Sequence, residues 1–159
     1  PTKQTTHLKM FLKKCGWDGI RDIHLASTGI DAIISKKVTV SIDASQANTY
    51  EKLRRGGKWE NLLESMNFLQ NKKHSQGIVL HTRMIVQQQN YPEIESFYQM
   101  CQQFDVDIVE YSRVTNWGTW SQKEFQFHDV VNPAHAEYEM AQAEIAKVKK
   151  LSGTWFAGL

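Results

Sequence analysis

The chain has 159 residues, 41% of them hydrophobic and 23% charged, with 19 basic against 17 acidic side chains. This composition fits one globular domain, and a net charge of +2, evenly interleaved along the chain, is too small to imply nucleic acid or an anionic membrane as the main partner; neither a membrane nor specific nucleic acid is expected. No apolar run approaches the roughly 20 residues of a spanning helix, no signal core follows Pro1 to Thr6, and the two cysteines, Cys15 and Cys101, form no spaced cluster. The expectation is a cytoplasmic protein with reduced thiols and no membrane partner.

In chain order, Leu8, Phe11 and Leu12 sit at helical spacing and predict an amphipathic helix over 5–15, closed by Gly16. A strand over 21–26 runs into the small residues Ser27-Thr28-Gly29, and a short helical turn follows at 31–34. Residues 37–43 alternate β-branched and polar side chains, which predicts a strand that ends on Ser41 and Asp43. A helix begins at Ser45 and stops at Arg54-Arg55-Gly56-Gly57. The next, over 59–71, places Leu62, Leu63, Met66 and Leu69 on one face. A strand over 78–86 carries Arg83 near its carboxyl end. Pro92 leads into a helix over 93–104, and a strand over 107–114 runs into the loop 115–121. A helix over 133–151 completes the pattern. The strand–helix rhythm occupies 1–130 and stops near Val131-Asn132-Pro133, leaving a C-terminal helix and tail at 131–159 within the same single domain.

Strands separated by helices predict parallel pairing through right-handed crossovers. A closed (β/α)₈ barrel takes about 250 residues, so four strands make about half of one. The expected fold class is α/β, an incomplete parallel (β/α) barrel of about four strands with flanking helices.

In such folds ligands sit beyond the carboxyl ends of the strands. Ser27 and Thr28, Ser41 and Asp43, Arg83, and Asn116 with Trp117 all fall at that edge. Ser41 and Asp43 share one side of their strand, and a hydroxyl beside a carboxylate suits a ribose. Asp43 equally suits a cap for the helix after it. Arg83 suits either a carboxylate or phosphate ligand or a surface ion pair. The Arg54-Arg55-Gly56-Gly57 stretch lacks the strand–loop–helix setting of a phosphate cradle and reads as a connector. No histidine pair has metal spacing, so a metal hydrolase finds no ligands here. Both cysteines read as packing residues. Trp117 and Trp120, flanking Gly118, suit either loop packing or a pocket mouth.

The stretch Val38-Thr39-Val40-Ser41-Ile42-Asp43-Ala44, then Thr49-Tyr50-Glu51-Lys52-Leu53-Arg54-Arg55-Gly56-Gly57, then Trp59-Glu60-Asn61-Leu62-Leu63, resembles the middle of a radical S-adenosylmethionine (SAM) enzyme. The likeness continues through Met84-Ile85-Val86-Gln87-Gln88-Gln89-Asn90-Tyr91-Pro92-Glu93-Ile94. It also reaches Asn116-Trp117-Gly118-Thr119-Trp120-Ser121, similar to a loop in members with SPASM or twitch extensions. Ser27-Thr28-Gly29 stands where many members have Thr-Asn-Gly.

The resemblance implies a barrel that binds SAM on a 4Fe-4S cluster and forms a 5′-deoxyadenosyl radical for hydrogen abstraction from a peptide or small-molecule substrate, with a protein reductant as further partner. By position it implies that Ser41 and Asp43 contact the ribose or methionyl part. Ser27 and Thr28 would line the same cavity, Arg83 would approach the carboxylate, and the backbone from Val114 to Asn116 would approach the adenine. The family's Cys-x₃-Cys-x₂-Cys motif is absent from the sequence, as is its Gly-Gly-Glu-Pro turn. The expectation is therefore a fragment whose cluster ligands lie upstream and which is inactive alone. The alternative is a non-catalytic α/β binding or interaction module.

Overall fold

The computed structural model describes residues 37–159. The helix expected over 5–15, the strand over 21–26, the turn at Ser27-Thr28-Gly29 and the helical turn at 31–34 lie outside the described residues. Four strands form one sheet: β1 (Lys37–Ser41), β2 (Val79–Val86), β3 (Ile108–Arg113) and β4 (Thr154–Ala157). Every neighbouring pair is parallel, and the strand order in the sheet equals the order in the chain.

Between β1 and β2 lie α1 (Ala47–Leu53) and α2 (Trp59–Gln76). A 3₁₀ turn, Tyr91–Glu93, leads into α3 (Ile94–Gln103) between β2 and β3, and α4 (Gln122–His128) and α5 (Tyr138–Val148) lie between β3 and β4. These crossovers are what parallel pairing demands. The chain is thus an α/β fold with a four-stranded parallel sheet and flanking helices, as the alternation predicts.

The sheet has two unlike faces. Val38, Val40, Leu80, Met84, Val86, Val109 and Tyr111 are buried in one core with Leu62, Met66 and Leu69 of α2, Ile94, Phe97 and Cys101 of α3, and Ala141, Ile145 and Val148 of α5. Tyr111 anchors that core: its ring stacks on Phe156 at 5.4 Å, meets Phe97 edge-on at 5.9 Å, and its hydroxyl donates to Ile94 O at 2.9 Å. Among the described residues, the helices that enter this core cover one face only.

Four elements differ from the sequence expectation. First, α2 runs five residues past Asn71, because Lys73 pairs with Asp107 at 2.8 Å and with Asp105 at 3.1 Å, and Gly77 supplies a left-handed cap at φ 62. Second, α4 lies where no element was expected. Its start is a capping box in which the Ser121 hydroxyl accepts from Glu124 N and Ser121 N donates to the Glu124 carboxylate. Third, the last helix occupies 138–148 rather than 133–151, since residues 133–137 form turns.

Fourth, the strand–helix rhythm does not stop near Pro133. After α5 the chain returns as β4 alongside β3, where a tail was expected. Gly153 makes that return possible. Its φ is +75, and an added Cβ would lie 2.7 Å from the Asp107 carbonyl oxygen, so backbone passes against backbone there. Gly153→Ala is expected to lower unfolding stability by about 1–3 kcal/mol, read as a fall in the urea midpoint; an unchanged midpoint would show that the approach is not tight.

Candidate functional site

The carboxyl ends of β1 and β2 are fastened by side chains rather than by the ladder alone. After Ser41 the chain leaves the strand through Asp43, whose φ of +67 lies in the left-handed region that Asp tolerates better than most residues. Its carboxylate accepts from Ile85 N at 2.7 Å and pairs with Arg54. Asn90, fully buried, completes the tie. Its amide donates to Asp43 O at 2.8 Å and to Ile85 O at 2.9 Å, and its carbonyl oxygen accepts from Gln87 N at 2.8 Å. One turn later Glu93 accepts from Ser45 N at 2.6 Å and from the Ser45 hydroxyl at 3.0 Å. The end of β3 is tied separately: Arg113 donates from Nε and Nη2 to the two oxygens of buried Asp129, at 2.8 and 2.6 Å.

The second face of the sheet mixes apolar side chains with a cluster of polar ones. Register places Thr39, His81 and Ile108 in one row and Ser41, Arg83, Glu110 and Trp155 in the next. Ile85, Ser112 and Ala157 form the row nearest the strand ends. Residues in one row project to the same side. Glu110 is the hub. It lies 3.0 Å from Arg83 Nε through Oε1 and 3.0 Å from His81 Nε2 through Oε2, and Oε1 also accepts from the Ser112 hydroxyl at 2.6 Å. The His81 and Arg83 contacts are close but off the best hydrogen-bond angle. His81 Nδ1 lies 3.2 Å from the Thr39 hydroxyl. With Nδ1 accepting from Thr39, the imidazole proton sits on Nε2, facing the carboxylate.

Charge follows from this packing. Burial, reinforced by the positive charges of Lys37 and Arg83, pushes the His81 imidazole below its ordinary value despite the nearby Glu110. Burial also works against the charge on Glu110, but the Ser112 hydroxyl and the Arg83 guanidinium outweigh it and hold the carboxyl below its ordinary value. Near neutrality the face therefore holds neutral His81 between ionised Glu110 and Thr39.

The sequence-predicted residues come together only in part. Ser27 and Thr28 lie outside the described residues. Ser41 is half-buried and shares a row with Arg83. Asp43 does not cap α1, whose N-cap is Gln46 without a side-chain bond; it clamps Ile85 instead. Arg83 stands mid-strand rather than at the strand end, and forms the ion pair with Glu110. Val114 is buried. The Asn116 side chain organises its own loop, accepting from Gly118 N at 3.0 Å and donating to Trp120 O at 2.9 Å.

Trp117 is 87% exposed, whereas Trp120 packs against His128 and Phe125. Arg54 to Gly57 form the connector between α1 and α2 and send the Arg54 guanidinium back to Asp43. Cys101 is buried beside Thr82, and burial pushes its thiol up to about 12, so it is a packing residue and no thiolate. Among the described residues no group of three or more His, Cys, Asp or Glu side chains could hold a metal ion, and no helix is long and apolar enough to cross a membrane.

Sequence reasoning missed Glu110, Asn90 and Trp155. Glu110 carries a signal, since a carboxylate inside the apolar run Ile108-Val109-Glu110-Tyr111 needs a partner when buried. Asn90 and Trp155 depend on contacts between distant segments. Comparison with known proteins adds no further residue: no protein-family model matches the chain, and no curated protein matches it.

Asn90→Ala leaves two carbonyls and one buried N–H without partners, and is expected to destabilise the protein by about 2–4 kcal/mol in urea unfolding; a loss within 0.5 kcal/mol would mean that the strand ends hold without it. The His81 imidazole, depressed in the folded state, favours unfolding as pH falls below its unfolded value near 6.5. Glu110, also depressed, adds to the loss below its unfolded value near 4.5. The urea midpoint should therefore fall between pH 7 and 5, and more steeply below that. His81→Gln should flatten the upper part of the curve, and an equally steep fall in this variant would exclude His81 as its source.

Proposed function

We propose that this chain is part of a (β/α) barrel that binds S-adenosylmethionine at the carboxyl ends of its strands, within a radical SAM enzyme. The observation that carries the reading is the two-faced parallel sheet. A layered doubly wound sheet is apolar on both sides. Here the face away from the helical core carries Thr39, Ser41, His81, Arg83, Glu110 and Ser112, a composition that suits the lining of a barrel with a polar ligand inside.

In this reading Ser41, half-buried at the end of β1, hydrogen-bonds the ribose or the methionyl part. The clamp of Asp43 and Asn90 keeps the ends of β1 and β2 at fixed separation around it. The backbone from Val114 to Asn116 offers amide groups to the adenine. In the family this chain resembles, the bound sulfonium compound supplies the radical chemistry; the residues described here bind and orient it. They do not fit a 4Fe-4S cluster, since the one cysteine among them is a buried neutral thiol.

The reading as a non-catalytic binding module draws support from one observation: the side chains of Asp43 and Asn116 are spent on the protein's own backbone. Titration calorimetry separates the two. Saturable one-to-one binding of SAM to the chain is expected, and Ser41→Ala should weaken it about fivefold, the loss of one neutral hydrogen bond. No saturable heat, or equal affinity in Ser41→Ala, would favour the binding module instead.

A further inference from the structure

The row Ser41, Arg83, Glu110 and Trp155 crosses all four strands on the polar face. Its β3–β4 side is unlike the rest of the sheet. Trp155 is 56% exposed, although Phe156, the next residue, stacks on Tyr111 in the core. Alternation along β4 therefore turns the indole onto the polar face, beside half-buried Ile108 and Ala157. A large open indole on a sheet face is a platform for a flat ring.

Arg83 supplies the complement. Its side chain is 38% exposed, and the contact of Nε with Glu110 draws the guanidinium towards β3, away from Ser41. Nε makes the Glu110 contact, so the two terminal amino groups lie outside that ion pair. Of the two cations on the strands of this face, Lys37 and Arg83, only Arg83 stands in the row of Trp155, and an anion placed there would have its guanidinium as the charged donor. Arg83 and Trp155 stand two strands apart, roughly 10 Å, which a ring bearing an anionic arm can bridge over Glu110.

We infer that Arg83 and Trp155 form a recognition site for a substrate that carries an anionic group, carboxylate or phosphate, on a planar aromatic ring. This assigns Arg83 to the substrate rather than to the cofactor carboxylate, and it rests on the reading above only in calling the ligand a substrate. Trp155 presents the stacking surface, the terminal nitrogens of Arg83 donate to the anion, and Glu110 is a positioning residue that fixes the guanidinium.

The test is an NMR titration of the chain that follows the Trp155 indole N–H, assigned by its loss in Trp155→Phe. 3-Phenylpropionate and phenyl phosphate serve as anionic probes and benzyl alcohol as the neutral one. Saturable shifts are expected for the anions, with benzyl alcohol about tenfold weaker, the factor of a charge-assisted hydrogen bond. The stronger of the two anions identifies the acid group. Arg83→Gln should weaken both anions about tenfold and leave benzyl alcohol unchanged. Trp155→Ala, an exposed position that leaves the core intact, should abolish ligand-observed saturation transfer for all three.

Absence of saturable shifts for both anions, or wild-type affinity in Arg83→Gln, overturns the inference. S-adenosylhomocysteine is titrated into the same samples. If it binds while the aromatic anions do not, the inference fails and the cofactor reading stands. If the anions bind while it does not, the ring–anion site stands and the cofactor reading fails. Weakening of S-adenosylhomocysteine by Arg83→Gln, with the anions unaffected, returns Arg83 to the cofactor.

Discussion

Parallel strands send their chains away in the same direction, so nothing in the ladder itself holds their carboxyl ends together once the hydrogen bonds stop. Asn90 meets that need at the ends of β1 and β2. One buried carboxamide takes the carbonyls of Asp43 and Ile85, and Asp43 in turn takes the Ile85 N–H. Three backbone groups that a strand end would leave to water are satisfied inside the protein. Asp43 is held in the left-handed region by these bonds, and that turn directs the chain towards α1. The position of Ser41, the start of α1 and the connector carrying Arg54 all follow from this knot.

The two sides of the sheet divide the work. One side is a hydrocarbon core in which Tyr111, Phe97 and Phe156 interlock beneath three helices. The other gathers polar groups around Glu110, which is buried and therefore requires the guanidinium, hydroxyl and imidazole that surround it. A buried ionised carboxylate is tolerated only with such partners. That requirement links β1, β2 and β3 through Thr39, His81 and Arg83. The polar side is thus held in a single arrangement while remaining open next to Trp155.

The alternation of strand and helix was legible because each element carries its own period. β-Branched residues mark β1, and a stripe of Leu62, Met66 and Leu69 marks α2. β4 was missed because four residues, Thr154-Trp155-Phe156-Ala157, are too few to establish a period, and their pairing depends on β3 being in place. α4 was legible in principle, since Ser121 stands three residues before Glu124, but its few apolar residues form no stripe. At the site, the places of Ser41 and Arg83 on their strands and of Asp43 just past β1 could be read from the sequence. Their partners could not. Asp43 and Ile85 are 42 residues apart and Asp43 and Asn90 are 47 apart, and no local pattern encodes contacts at that distance.

Because β1 to β4 lie side by side in the order in which they occur in the chain, each strand leaves the ribosome after the neighbour it will pair with. Synthesis from the amino terminus therefore presents every new strand with an edge already laid down, and the sheet can grow in one direction without waiting for a distant segment. The closing of each loop involves only one crossover, which keeps the sequence separation of new contacts moderate in spite of the parallel pairing. Of the four described strands β4 is the shortest and follows the other three in the chain, so the Trp155 platform forms only after β1, β2 and β3 have been made.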